Sequence, residues 1–156
     1  MDAATRTYPL SGRDLLLKVD AGGGFRACAG LRLKSLQLDA RTVDVTDSDS
    51  AGWRELLPGA GLRTAELSGA GVFRSAASDH TVRTAFFQQA ALPCRFILPG
   101  FGTVEGPFLV SRLRYSGRYN GEASFEMSFQ SAGPLQWEAL SGASPSGDSP
   151  SGEPLP

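Results

Sequence analysis

DARTVDVTDSDSAGWRELLPGAGLRTAELSGAGVF, residues 39–73, is the stretch that decides how the rest of the chain is interpreted. The β-branched residues Thr42, Val43, Val45 and Thr46 near its start favour extended backbone. Residues 47–50, DSDS, interrupt that pattern with side chains that bond their own backbone in turns. Residues 53–57 are expected to make one helical turn, and residues 61–73 return as a strand. The stretch therefore predicts a long extended loop, residues 41–59, that leaves a sheet edge and comes back.

A loop of this length needs a physical explanation, because compact domains seldom keep one that has no function. Disorder does not explain it, since disordered segments are poor in apolar residues and this loop contains several. We therefore expect the loop to reach another protein surface. The candidate contact residues are Arg41, Thr42, Val43, Asp44, Val45, Thr46, Trp53, Arg54 and Leu57.

The segments that precede the long loop are strands by pattern. Residues 15–20 and 25–29 flank a glycine-rich turn and predict a β-hairpin. Residues 31–39 alternate, but Leu31 and Leu33 fall on one face while Leu36 and Leu38 fall on the other. A period of two residues does not allow that change, so a β-bulge is expected near residues 34–35.

One helix and more strands follow the loop. Residues 78–91 have apolar positions at helical spacing, with Phe86 and Phe87 in the apolar stripe and Ser78 or Asp79 as the N-cap. Residues 92–98 are a strand, and residues 103–115 read as one long strand or two collinear strands interrupted at Gly106–Pro107. Residues 123–130 alternate cleanly. The fold class predicted is mainly β: a β-sandwich or small β-barrel of antiparallel strands with one flanking α-helix and a long extended loop.

Composition limits the function classes. A chain of 156 residues predicts one domain, and a formal net charge of −1 argues against a surface built to hold nucleic acid. Residues 1–14 are expected to be an N-terminal arm, residues 15–140 the β domain, and the Ser/Gly/Pro-rich residues 141–156 a flexible tail.

No apolar run approaches the roughly 20 residues of a membrane helix, and the N-terminus lacks a signal pattern, so synthesis and retention in the cytosol are expected. Cys28 and Cys94 are expected to be reduced, buried thiols.

Several motifs of the chain resemble one protein family. They are TVDVTDSDSAGWRELLPGAG at residues 42–61, SGAGVF at 68–73, YSGRYNG at 115–121 leading into the strand at 123–130, and SAG at 131–133. Together they resemble the major tail tube protein of long-tailed phages, and more narrowly the type found in gene transfer agents and related prophages. The resemblance covers roughly residues 15–137.

The resemblance implies a structural function. Subunits of that family form hexameric rings whose strands line a channel, and the rings stack into a tube. Implied partners are other copies of the chain, the tape measure, terminator and distal-tail proteins, and DNA that passes through the lumen without specific binding. The implied location is the tail of a virion or phage-like particle made in the bacterial cytoplasm. On this interpretation the long loop is a contact between subunits.

The residues offer little catalytic or metal chemistry. His80 is the single histidine and is expected at the helix surface, and the two cysteines are too few for a zinc site. Asp44, Asp47 and Asp49 alternate like a calcium loop but lack its glycine and terminal glutamate, so they are interpreted as solvating charges. No enzyme activity, cofactor or metal is therefore expected.

Two alternatives stay open on the sequence. Arg112, Arg114 and Arg118, interleaved with Tyr115 and Tyr119, suggest either single-stranded nucleic-acid stacking or, more simply, the solvated face of an edge strand. The other functional candidates are a tail terminator or distal-tail ring protein of the same fold, and a carbohydrate- or ligand-binding β-sandwich module that uses Trp53 and Trp137 for stacking.

Overall fold

The computed structural model describes residues 11–139, which form ten β-strands and one α-helix. The strands are β1 (Leu16–Asp20), β2 (Phe25–Ala27), β3 (Leu31–Ala40), β4 (Val43–Asp44), β5 (Leu56–Leu57), β6 (Arg63–Val72), β7 (Leu92–Leu98), β8 (Gly102–Ser116), β9 (Ser124–Ser131) and β10 (Gln136–Glu138); the helix α1 spans Ala77–Gln88. Single 3₁₀ turns occur at Gly12–Asp14 and Ser48–Ser50. Within residues 11–139, no helix is long and apolar enough to cross a membrane.

All strand pairs are antiparallel, and eight of the strands belong to one curled sheet. Their order is β2-β1-β7-β8-β9-β6-β3, with β10 paired to the start of β8. Strand β8 joins two halves of the sheet: its first half pairs with β7, and from Phe108 onward it pairs with β9. β4 and β5 form a separate two-stranded sheet. The mainly β fold with one helix is confirmed.

The core lies inside the curl and is closed by the helix. Phe96, Phe108 and Phe129 come from three neighbouring strands, and each is almost completely buried. Leu17 of β1 and Leu67 of β6 belong to the same cluster although several strands separate them in the sheet, so the sheet wraps around one interior. β9 shows the predicted alternation, with its aromatic and methionine side chains inside and its polar side chains on the outer face.

The β-bulge in β3 exists, but its predicted position was wrong. The register with β6 shifts between Leu31 and Leu33, and beyond Leu33 the pairing is regular. Leu31 and Leu36 therefore pack against the core, whereas Leu33 is exposed on the outer face. The cause is the close approach of Gly30 and Gly71, where a Cβ on Gly71 would overlap the Gly30 carbonyl group.

The helix is confirmed, although its bounds and its N-cap differ from the prediction. It begins at Ala77, and the Asp79 carboxylate accepts a hydrogen bond from the Ala76 N–H at 3.0 Å. Asp79 is therefore the third residue of the helix and not its N-cap, and it provides a hydrogen-bond acceptor for the free backbone N–H of the N-cap residue Ala76. The expectation that Phe87 belongs to the buried stripe was wrong, because this side chain is 81% exposed.

β8 is continuous through Gly106 and Pro107, so one long strand is the correct alternative of the two that the sequence left open. Pro107 faces Pro93 of β7, and its carbonyl accepts a hydrogen bond from the Ala132 N–H at 2.9 Å. The strand changes partner here, which is why a residue without an N–H is tolerated. The irregularity lies further along, between Val110 and Arg112.

Most residues of the two predicted terminal segments lie outside residues 11–139. Residues 1–10 of the predicted N-terminal arm and all of the predicted tail, residues 141–156, are outside the described residues. The described end of the predicted arm forms a 3₁₀ turn at Gly12–Asp14, whose N-cap is Ser11.

Candidate subunit interface

Residues 41–59, the predicted long loop, fold as a hairpin outside the curled sheet, and we call it the projecting hairpin. Its strands β4 and β5 pair with each other through Val43–Leu57 and Asp44–Leu56. The Val45 N–H donates to the Glu55 carbonyl at 3.0 Å and continues the ladder. The segment is therefore an ordered element with its own backbone hydrogen bonds.

The tip of the hairpin is a capped turn, not the predicted helical turn at residues 53–57. The 3₁₀ turn at Ser48–Ser50 begins after Asp47, whose carboxylate accepts from the Asp49 N–H at 2.8 Å. Ala51 then adopts left-handed backbone, and the Trp53 N–H donates to the Ser50 carbonyl at 3.0 Å. Turn-forming side chains thus fix the backbone on which Trp53 is presented.

A polar network supports the middle of the hairpin. Asp44 accepts a hydrogen bond from the Thr46 N–H at 2.9 Å. Hydrogen bonds from Thr46 lower the pKa of Asp44, and the one from the Thr46 side chain contributes more than the one from its backbone. The Thr46 hydroxyl also accepts from the Glu55 N–H at 2.8 Å. These hydrogen bonds hold the shape of the hairpin, and the side chains of Asp44 and Thr46 are also exposed at its surface.

The apolar candidates are presented to solvent. Trp53 is 78% exposed, and Val43, Val45 and Leu57 are each exposed to 40% or more. Arg54 is exposed beside Trp53, while Arg41 and Thr42 lie at the root of the hairpin. Trp53, Val43, Val45 and Leu57 are thus exposed apolar side chains on one ordered element, and none of them belongs to the core cluster. An ordered apolar surface of this kind is a candidate contact surface.

The two legs of the hairpin are locked together at its root. The Arg41 N–H donates to the Leu62 carbonyl at 2.9 Å. Gly61 has a φ of +111°, and a Cβ at this position would overlap the Arg41 carbonyl oxygen. Glycine is therefore required at position 61, where the two strands at the root of the hairpin approach each other closely.

The sheet contributes a second candidate surface, of which the sequence indicated one part, the edge strand that carries Arg112 and Arg114. β3 pairs only with β6, and the part of β8 after Phe108 pairs only with β9, among residues 11–139. The four-stranded half β8-β9-β6-β3 therefore has two free edges. Such edges are templates for pairing with another chain.

The arginine and tyrosine residues of β8 do not form one stacking surface. Arg114 lies on the outer face and is 3.9 Å from the Glu126 carboxylate. Tyr115 lies on the inner side, with its ring edge-to-face against Phe73 at 5.5 Å. Tyr119 stands in the turn beyond the strand. The positions agree with the edge-strand interpretation of this segment.

Other titratable candidates lie away from the hairpin. No group of three or more His, Cys, Asp and Glu side chains within residues 11–139 is arranged to hold a metal ion. His80 is exposed on α1. Both cysteines are free thiols, and Cys94 is buried as predicted. The prediction that Cys28 is buried was wrong, because it is only partly buried against the core. Desolvation raises the pKa of both thiols.

Comparisons with known proteins agree with this architecture. The family model described as phage tail tube protein matches residues 9–137. A chain from the tail of an empty gene transfer agent (GTA) particle, refined helically with C6 symmetry, is 46% identical, with a TM-score of 0.79 over 84% of this chain and 100% of that one. A chain from the virion of a native GTA particle is 45% identical, with a TM-score of 0.78 over the same shares.

A more distant similarity concerns the fold alone. The SPP1 tail tube protein is 16% identical, with a TM-score of 0.64 over 84% of this chain and 80% of that one. None of the curated proteins compared with the sequence matches it.

Proposed function

We infer the function from one premise, which is that this chain belongs to the phage tail tube protein family and is a structural subunit of a tail tube. The resemblance to the type found in gene transfer agents is confirmed by the two gene transfer agent chains. What remains to be proposed is how the subunits assemble. We assign ring closure to the sheet edges and ring stacking to the projecting hairpin.

The two free edges suit each other for ring closure. β3 has ten residues, and the free part of β8 extends from residue 109 to 116. Three antiparallel pairings separate β3 from β8, so the two strands run in opposite directions. Rotation about an axis along the strands keeps those directions, and β3 of one subunit then meets β8 of the next as an antiparallel pair. A head-to-tail joint of this type closes into a ring.

The ring that we propose has six subunits, because the gene transfer agent tail with 46% identity was refined with C6 symmetry. Six four-stranded sheets supply roughly 24 strands. Strands about 4.8 Å apart and tilted by about 40° close at a diameter of about 48 Å. Barrels with far fewer strands already leave an aqueous channel, so this ring encloses a wide lumen.

The outer face of the four-stranded sheet becomes the lumen wall in such a ring. It carries hydroxyl, amide and oppositely charged groups, with Ser35 and Ser68 hydrogen-bonded to each other and Arg114 near Glu126. The residues on this face include Ser35, Gln37, Glu66, Ser68, Arg112, Arg114, Glu126, Ser128 and Gln130. A wall of mixed charge and small polar groups supports passage of DNA without specific binding.

The projecting hairpin is the contact between stacked rings in this proposal. Strands that run along the tube axis point their ends at the neighbouring rings, and the hairpin extends from one such end. Its contact residues are those predicted from the sequence: Arg41, Thr42, Val43, Asp44, Val45, Thr46, Trp53, Arg54 and Leu57. The most informative observation is the 78% exposure of Trp53 on an ordered turn, because large aromatic side chains anchor protein interfaces.

The wider assignments follow from the same proposal. The subunit is made in the bacterial cytoplasm and incorporated into the tail of a virion or phage-like particle. There the tube conducts DNA and meets the tape measure, terminator and distal-tail proteins.

Substitution of Trp53 by alanine tests the stacking role. Tubes of W53A are expected to be absent or short in electron micrographs, while the thermal unfolding midpoint stays unchanged because the side chain has little buried surface to lose. F87A is the matched control, since Phe87 is equally exposed but lies on α1. Tubes of ordinary length from W53A would contradict the stacking role.

The size of the assembly formed by the unmodified protein tests the alternative functions. A particle that stops at one ring would identify a terminator or distal-tail ring, and a monomer at high concentration would indicate a ligand-binding module.

A further inference from the structure

An apolar hollow opens beside the root of the projecting hairpin, at the mouth of the barrel. It has a volume of about 440 Å³, and its apolar walls include Leu38, Phe101, Leu135 and Trp137. The rings of Phe101 and Trp137 are 5.6 Å apart, and both side chains are half-exposed or more. Asp39 and Arg63 add charged groups to its lining. Four separate segments of the chain build this site, and nothing among residues 11–139 fills it.

The opposite end of the four-stranded sheet presents a protruding turn. Residues 117–123 connect β8 to β9, and the Gly121 N–H donates to the Arg118 carbonyl at 3.1 Å. Tyr119 stands inside this turn and is fully exposed, at 102%. Arg118 takes part in none of the ion pairs found among residues 11–139. The turn thus presents an exposed aromatic side chain next to an arginine that has no acidic partner within the described part of the chain.

The two ends of the sheet also differ in charge. At the hairpin end, exposed carboxylates outnumber guanidinium groups: Asp39, Asp44, Asp47, Asp49, Glu55 and Glu138 against Arg41, Arg54 and Arg63. At the turn end the balance is reversed, with Arg32, Arg74, Arg114 and Arg118 against Glu122 and Glu126. Head-to-tail stacking brings an acidic end against a basic end, and this complementarity favours one orientation of the contact.

We propose that the hollow receives the β8–β9 turn of a second copy of this chain in the neighbouring ring. Tyr119 of that copy packs against Phe101 and Trp137, and its Arg118 lies beside Asp39. The proposal rests on the proposed function, because only head-to-tail stacking of rings brings these two ends together. Burial of a tyrosine between aromatic side chains, with an arginine at the rim, is typical of the residues that dominate interface energies.

A disulfide between engineered cysteines tests the contact directly. The double variant Y119C/F101C is assembled into tubes, oxidised gently and run on a non-reducing denaturing gel. We expect a ladder that extends beyond one ring and disappears on reduction. Of the native thiols, Cys94 is buried and Cys28 is partly buried, so the control pair below also reports any crosslinking through them. Y119C/F87C is the control pair, with its second cysteine on the exposed side of α1.

The outcomes separate this proposal from the proposed function. Tubes that form but give no more crosslinking than the control pair overturn the docking of the turn in the hollow and leave the tube function intact. Failure of the unmodified protein to form stacked rings contradicts both.

Charge exchange gives an independent readout. R118E is expected to raise the protein concentration needed for tube extension about tenfold, and D39R in the same chain is expected to restore it. R26E is the matched control, because Arg26 is exposed on β2, away from both ends of the four-stranded sheet. Equal effects of R118E and R26E, or no recovery in the double variant, overturn the proposal.

Discussion

Gly61 holds together the root of the projecting hairpin, and its substitution is the sharpest test of that geometry. A Cβ at this position would overlap the Arg41 carbonyl oxygen, and the φ of +111° is one that other residues rarely adopt. We expect G61A to lose about 1–3 kcal/mol of stability or to displace the hairpin, with fewer tubes as a consequence. Chemical denaturation and electron microscopy measure the two effects.

Gly59 provides the control for this substitution. It also has a positive φ, of +76°, but a Cβ there would meet nothing within 4 Å. G59A therefore carries only the backbone strain. If G61A and G59A lose the same stability and form the same number of tubes, the close approach of Gly61 to Arg41 does not require glycine.

The two thiols at the core, Cys94 buried and Cys28 partly buried, predict that stability depends on pH in the alkaline range. Burial, and to a smaller extent Asp79, raises the pKa of Cys28 from 9.0 to about 12, and burial raises that of Cys94 as well. Above pH 9.0 the unfolded chain loses these protons while the folded chain keeps them, so the free energy of unfolding falls as the pH rises towards about 12. Urea denaturation across this range measures the slope.

Other groups also titrate at alkaline pH, so the comparison must be made between variants. C28A is expected to show a shallower fall in stability between pH 9.0 and about 12 than the unmodified chain. Identical slopes would mean that the Cys28 thiol does not stay protonated in the folded protein.

At the scale of the element, the projecting hairpin is separable from the barrel. Within the described residues 11–139, β4 and β5 pair only with each other, and the root is closed independently by the hydrogen bond between Arg41 and Leu62. Replacement of residues 43–57 by a short glycine–serine turn should therefore leave the thermal midpoint of the barrel within a few degrees of the original. The same variant should fail to form stacked tubes.

A deletion of Gly23, in the exposed turn between β1 and β2, controls for shortening a loop as such. It is expected to retain assembly. Ordinary tubes from the hairpin replacement would show that other surfaces carry the stacking.

The elements that depend on local pattern could be predicted from the sequence, and those that depend on distant contacts could not. The alternation of β9 and the helical period of α1 are visible in the chain itself. The bulge of β3 lies at Leu31–Leu33 because Gly30 meets Gly71 there, about forty residues away in sequence. The continuity of β8 through Pro107 depends likewise on a change of strand partner that no local pattern indicates.

The candidate interface divides in the same way. Trp53 was predicted because it follows a polar turn within one stretch of sequence, and the structure places it in solvent. The hollow was missed, although Trp137 had been noted as a stacking candidate, because Leu38, Arg63, Phe101 and Trp137 meet only after the sheet has curled. The β8 edge was predicted from the arginine and tyrosine pattern of residues 112–119, whereas the β3 edge was missed because strand order is not readable from single strands.

At the scale of the whole molecule, the subunit has two unlike ends and two unlike edges. Its edges run antiparallel to each other, and its ends differ in charge and in apolar exposure. Heterologous contacts of this kind close into rings in one direction and extend without limit in the other. One small domain can thus supply both the closure of a ring and the growth of a tube. The assigned domain limits, residues 15–140 with flanking termini, stay a prediction.

A cryo-electron microscopy map of tubes assembled from the unmodified chain tests the central claim most directly. We predict that the side chains of Trp53, Val43, Val45 and Leu57 are buried against a subunit of the neighbouring ring. A map of the assembled tube that shows these side chains in open solvent, without contact to any neighbouring subunit, would contradict it.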